Sequence, residues 1–128
     1  MDKPTKTFGD FIKEKRLNHQ PKLTLKKTAE LLDMNLTYLS DVENNRKKAF
    51  SSEKIDLFCE ALGISSEDQE KMYDLAARDT ESVPEDIVDT IMYTEEGDYA
   101  RKALRMVNKG KGNIEFWKEL IRKMEAEE

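Results

Sequence analysis

Between Thr24 and Asn44, two stripes of helical spacing follow one another with only Asp33 and Met34 between them. Leu25, Thr28, Ala29 and Leu32 fall at i, i+3, i+4 and i+7, the spacing that sets four side chains on one helix face. Leu36, Leu39 and Val42 repeat the pattern at intervals of three. Each stripe follows a residue whose side-chain oxygen can accept from the unpaired amides of a first turn, Thr24 in one case and Asn35 in the other. A link this short leaves no room for a wide loop. The second helix must therefore leave the first at a steep angle, with Met34 filling the elbow and the small Ala29 where the helices come closest.

These residues resemble the helix-turn-helix of the phage repressor and Cro family, also called the xenobiotic-response-element class. The likeness lies in Ala29, the apolar elbow Met34, the polar cap Asn35 and the run Tyr38-Leu39-Ser40-Asp41-Val42-Glu43-Asn44, similar to the family's Tyr-Leu-Ser-Asp-Ile-Glu-x-Gly. It extends from Phe8 to Ile64 and fades in the helix that follows. The resemblance implies a five-helix DNA-binding domain whose third helix, 36–44, lies in the major groove. It also implies a partly buried salt bridge between Arg16 and Glu43 that fixes the first helix against the third.

Base edges would then be read by Leu36, Thr37 and Asp41, with Tyr38 and Ser40 nearby. Leu36 and the methyl of Thr37 can pack on thymine methyls, and Asp41 can accept from a cytosine amino group. Leu36 can equally well pack on the preceding helix. Leu25 departs from the family, many of whose members carry at this point a Gln that touches DNA. The phosphate-binding set is Thr24, Lys26, Lys27, Asn35, Asn44, Arg46, Lys47 and Lys48: the start of the second helix offers unpaired amides and nearby lysines, and the Arg46-Lys47-Lys48 run leaves the recognition helix as a clamp. Asn45 replaces the family's Gly and tolerates the left-handed conformation a helix end often needs.

A formal charge of -5 looks unsuited to a polyanion, but its distribution is uneven. The net charge is +4 over residues 1–50, -12 over 51–100 and +3 over 101–128. Such a field attracts DNA to the first fifty residues and turns the acidic middle away from it. Cys59 is the single cysteine and His19 the single histidine, so an internal disulfide and a Cys/His metal site are excluded. No apolar run approaches the roughly 18 residues of a membrane span, and Met1-Asp2-Lys3-Pro4 lacks a signal peptide's apolar segment. A cytoplasmic chain without cofactors is expected.

The remainder reads as helices. Met1 to Lys6 is a polar arm with Lys3 and Lys6 available to a phosphate. Thr7 to Leu17 forms the first helix, with Phe8, Phe11 and Ile12 inward and a near capping box from Thr7 and Asp10. Asn18 to Lys22 is a loop in which His19 is expected to be solvated. Ser51-Ser52-Glu53-Lys54 opens a fourth helix with a serine cap and Ser65-Ser66-Glu67-Asp68 caps a fifth, the fourth with a stripe of Ile55, Phe58, Cys59 and Leu62 ended by Gly63, the fifth with Met72, Tyr73, Leu75 and Ala76 inward to about Ala77. The acidic break from Asp79 to Val83 divides the chain into a DNA-binding domain, 1–79, and a helical assembly region, 80–128. This region should hold about three short amphipathic helices: one opened by Pro84 with Ser82 as cap, one from Tyr99 to Val107, and one from Ile114 to Met124. Glu95-Glu96-Gly97-Asp98 reads as a solvated turn.

The fold expected is therefore all-α. Phe116, Trp117, Leu120, Ile121 and Met124 give the last helix a wide aromatic face, a residue composition favoured in interface cores. It suits a homodimer or a docking surface for a protein partner. The functional expectation is a sequence-specific, DNA-binding transcriptional repressor acting as a dimer. The alternative is an antitoxin-like or adaptor protein whose C-terminal helices hold another protein, with DNA binding as its autoregulatory half. The basic residues Arg101, Lys102, Arg105, Lys109 and Lys111 are expected to pair with the acidic middle. An enzyme is not expected, since the chain has neither a Gly-rich phosphate loop nor a nucleophile set with its base.

Overall fold

A computed structural model describes residues 6–128, which form eight α-helices and no strand. The chain divides into two compact units, one running to Asp86 and the other from Ile87 to Glu128. The first contains α1 (Phe8–Leu17), α2 (Leu25–Leu31), α3 (Leu36–Glu43), α4 (Ser52–Leu62) and α5 (Ser66–Thr80). The second contains α6 (Val88–Tyr93), α7 (Glu95–Asn108) and α8 (Ile114–Glu125).

The first unit owes its shape to well-defined helix starts around one core. Thr7 and Asp10 close a reciprocal capping box on α1, and Thr24, Asn35, Ser51 and Ser65 each accept from a first-turn amide of the helix that follows. Phe8, Ile12, Leu32, Leu39, Phe58 and Met72 lie at the centre of the core, and Phe50 meets Phe8 edge to face with ring centroids 5.0 Å apart. Cys59 belongs to this core, where burial pushes its thiol up to about 11 and its Sγ lies 3.6 Å from Met72 Sδ. Lys15 on α1 reaches Asp68 on α5 at 2.5 Å, which ties the first helix to the last.

Several boundaries differ from the sequence expectation. The unit does not stop at residue 79, because α5 continues to Thr80 and closes at Glu81 with φ 52°. Ser82, Val83 and Glu85 then line a cleft with Phe50, Tyr73 and Ala77. Ser82 caps no helix: its hydroxyl pairs with that of Thr80 at 2.7 Å, and α6 begins at Val88 without a side-chain cap rather than at Pro84. Glu95 to Asp98 are not a solvated turn but the first turn of α7, four residues ahead of Tyr99. Thr94 accepts from Gly97 N at 2.9 Å, and three carboxylates sit at the positive end of the helix dipole. His19 is half-buried rather than solvated, with Nδ1 2.8 Å from the Pro21 carbonyl. Of the arm's lysines, Lys3 lies outside the described residues and Lys6 is bonded to Glu14 at 2.6 Å.

In the second unit Gly97 is the only buried residue. A Cβ there would stand 2.2 Å from the Thr90 carbonyl oxygen, so the glycine lets α7 cross α6 at backbone contact. Arg101 bonds the Ile91 carbonyl and pairs with Asp98 at 2.7 Å. Arg101 thus pairs within the acidic stretch, while Lys102, Arg105, Lys109 and Lys111 form no ion pair among the described residues.

The Lys15 ammonium holds the Asp68 carboxyl below its ordinary value, and the Asn45 amide does the same for Asp10. A carboxyl depressed on folding adds stability above its unfolded pKa of about 4, and that stability is lost as pH falls through the lower folded value. Asp68→Asn should therefore lower the urea midpoint at pH 7 and lose less than the parent chain when the titration is repeated below pH 4.

Candidate nucleic-acid interface

Helix α3 is fixed at both ends and along its inner side. At its start, the Asn35 side-chain oxygen accepts from Thr37 N at 2.8 Å and Tyr38 N at 3.3 Å. Leu39 and Val42 enter the core. At its end Asn45 adopts φ 63°, while Arg46 N donates to Asp41 O at 2.8 Å and Asn45 N to Val42 O at 3.1 Å. This paired closure satisfies carbonyls that would otherwise be orphaned.

The elbow before α3 is built in the same way. Asp33 takes φ 49°, Met34 N donates to Ala29 O at 3.0 Å and Asp33 N to Glu30 O at 3.1 Å. Met34 itself packs half-buried on the core. Lys54 of α4 then donates from Nζ to Leu32 O at 2.7 Å and Asp33 O at 3.2 Å, a cation set against the negative end of α2. Sequence reading missed this clamp, since nothing near Lys54 in the chain points to the elbow twenty residues earlier.

The inner end of α3 meets α1 through charge. Arg16 donates from Nε to Glu43 Oε2 at 2.7 Å, from Nη2 to Glu43 Oε1 at 3.0 Å and from Nη1 to Leu23 O at 3.0 Å. The two side chains are 8% and 2% exposed. Gly9 makes the approach possible, because a Cβ there would stand 2.2 Å from Val42 O and 2.7 Å from Asn45 Oδ1. The Asn45 side chain completes the joint: its Oδ1 accepts from Thr7 Oγ1 at 2.6 Å, and its Nδ2 donates to Asp10 at 3.1 Å. Gly9 and the Asn45 amide were both missed. A glycine after Phe8 is at most a weak sign of helix-to-backbone contact, and the Asn45 partners lie 35 and 38 residues away.

With its inner face so committed, α3 turns Thr37, Ser40, Asp41 and Asn44 outward at i, i+3, i+4 and i+7. Thr37 is exposed, and Leu36 is 46% exposed rather than packed on α2. Tyr38 is half-buried against the core, so its ring is partly withdrawn from the outer face. Ser40 and Asn44 are engaged with each other, Asn44 Nδ2 donating to Ser40 O at 2.9 Å. Asp41 accepts from Arg46 at 3.4 Å, an open pair in which the arginine is 67% exposed. Lys26, Lys27, Lys47 and Lys48 are exposed and form no ion pair among the described residues, while Thr24 and Asn35 spend their side-chain oxygens on caps.

Residues 12–69, a little under half the chain, match the family model described as helix-turn-helix. The match supports a helix-turn-helix DNA-binding domain over these residues. No curated protein and no solved structure matches the chain. The match begins inside α1 and ends inside α5, so the helix-turn-helix domain includes Arg16, Glu43, Lys54 and the whole outer face of α3, and leaves α6 to α8 outside. Among the described residues no helix is long and apolar enough to cross a membrane.

Two substitutions test how this domain holds α3. Glu43→Ala leaves the Arg16 charge buried without its partner and should cost about 3–5 kcal/mol in urea denaturation, whereas the double change Arg16→Met with Glu43→Leu should recover most of that loss. Gly9→Ala drives a methyl into backbone and should cost roughly 1–3 kcal/mol, with a fall in DNA affinity at temperatures where the domain is still folded.

Proposed function

We propose that the chain is a sequence-specific transcriptional repressor that reads the major groove with α3 and binds a paired site as a dimer. The supporting observation is the outer face of α3, which presents Thr37, Leu36 and Asp41 beside the exposed cations of the Arg46-Lys47-Lys48 segment. In the groove, Leu36 and the Thr37 methyl contact thymine methyls while the Asp41 carboxylate accepts from a cytosine amino group. Asp41 and Arg46 are bonded to one another in the free chain at 3.4 Å, with the arginine 67% and the aspartate 25% exposed. A long pair with its arginine in solvent is worth about 1 kcal/mol or less. Its exchange for a cytosine and a phosphate therefore costs little: one contact supplies sequence information, the other sequence-blind affinity. Lys26, Lys27, Lys47 and Lys48 add phosphate contacts, and occupation of the site blocks a promoter.

A second reading has its own observation. In residues 87–128 no apolar side chain is buried, and Phe116, Leu120, Ile121 and Met124 are exposed. An antitoxin-like or adaptor role, in which these helices hold a protein partner and DNA binding is autoregulatory, uses the same face.

Binding of the full chain to DNA from upstream of its own coding region, against a shuffled duplex and across a salt series, separates the roles assigned to α3. Arg46→Ala should weaken both duplexes alike and reduce the slope of log K against log salt by about 1. Thr37→Ala and Asp41→Ala should keep the salt slope and lose about 1–3 kcal/mol of discrimination each. Identical behaviour of all three variants would remove the assignment of base and phosphate contacts.

A further inference from the structure

We propose that α8 pairs antiparallel with α8 of a second copy about a two-fold axis crossing between Leu120 and Ile121, with Lys118 of each copy facing Glu125 of the other. This inference rests on the reading of α6 to α8 as the assembly region. The unit cannot account for its own apolar surface. Phe116, Ile121 and Met124 are 58%, 55% and 62% exposed on one side of α8, and Trp117 beside them is half-buried. Units near 40 residues usually need a metal, a disulfide or a partner to be stable. Among the described residues this one has no metal cluster, and it contains no cysteine.

The charges at the rim of the stripe select a second copy and its direction. Lys118 and Glu125, seven residues apart, lie on one flank, and Lys123 with Phe116 on the other. A two-fold axis perpendicular to the helices turns each flank onto its own counterpart. Lys118 then meets Glu125 twice, once at each end, with opposite charges in both places. When Leu120 stands opposite Ile121, Trp117 stands opposite Met124, and Lys118 and Glu125 are offset by two residues, about 3 Å along the axis. A lysine stem spans that distance easily. A parallel pair would place Lys118 against the flank whose rim charge is Lys123. Glu125 and Lys123 have no ion-pair partner among the described residues, while Lys118 holds Glu115 only at 3.6 Å in solvent.

The surface is large enough only if α7 contributes. Twelve residues of helix span about 18 Å, short of what a standard interface of roughly 800 Å² per partner requires. Ala103, Met106 and Val107 of α7 extend it, since they line an apolar cleft of about 220 Å³ with Phe116 and Trp117. In the antiparallel register, Met124 of the second copy lies beside Trp117 at the edge of this cleft.

Sedimentation velocity of the full chain, over a concentration series, tests the pairing with Lys118→Glu, Glu125→Lys and the double charge swap. The parent chain should be a dimer, each single variant should dissociate roughly tenfold more readily at low salt, and the double variant should return to within about twofold of the parent. Both positions are exposed, so helix content by circular dichroism should not change. Glu125→Lys also leaves the Lys118–Glu115 contact intact, which separates the intermolecular effect from one within the helix. A parent dimer with unaffected single variants, or a double variant weaker than either single one, would overturn the antiparallel pairing while leaving a C-terminal assembly region standing. A monomeric parent chain at all concentrations would overturn both.

Discussion

The bond between Arg16 and Glu43 is the constraint on which the placement of α3 depends. Two charges taken from water into a core cost several kcal/mol each, and their attraction offsets this only when geometry is good and the remaining hydrogen bonds are made. Here both conditions hold, since the guanidinium forks onto both carboxylate oxygens and uses another nitrogen on the Leu23 carbonyl. The value of the arrangement is therefore in its selectivity more than in net stability. A slip of α3 by one residue along α1 would leave both charges buried and unpaired, whereas a slip between apolar surfaces alone would cost much less. Gly9 and the Asn45 amide reinforce the same register from the side, one by permitting close approach and the other by bonding across it.

With the inner face so determined, the outer face need not carry structure. Thr37 and Leu36 make no core contribution, and the cations following the helix stand in solvent. Lys54 does the complementary work at the elbow, holding the Leu32 and Asp33 carbonyls and so the angle at which α3 leaves α2. A loop that changes angle readily would spend binding free energy on ordering itself.

The parts legible in the sequence were those written in local patterns. Caps at Thr7, Thr24, Asn35, Ser51 and Ser65 depend on neighbours within three residues, and the stripes of α1 to α5 on spacing alone. The left-handed Asn45 was legible because asparagine enters that conformation more readily than most residues that carry a Cβ, and it stands where a helix ends. What failed did so for lack of range or through ambiguity. Lys54 and Asn45 act on residues more than twenty positions away. Glu95-Glu96-Gly97-Asp98 has the composition of a turn, and only the close crossing of α6 accounts for a glycine in the first turn of a helix. Pro84 looked like a helix start, but the hydroxyl that would have capped it is bonded to Thr80. Only the resemblance points to the outer face of α3, and its exposure is a property of the fold that spacing by itself does no more than suggest.

The chemistry of that face bears on the proposed dimer. Strong base readout usually comes from arginine, lysine, asparagine or glutamine set bidentate against a purine. The residues that α3 turns outward near its start, Leu36, Thr37, Ser40 and Asp41, offer methyl groups, hydroxyls and one acceptor, and no such fork. Under the proposed reading, each copy would be limited to modest discrimination per half-site, while its lysines and Arg46 would add affinity that any sequence can use. A tether between two copies changes this balance. It makes the second half-site encounter intramolecular, so the small preference of each face is counted twice at a correctly spaced site, whereas on unrelated DNA the cations alone contribute. On the proposed reading, selectivity would reside as much in the pairing of the C-terminal helices as in the side chains of α3.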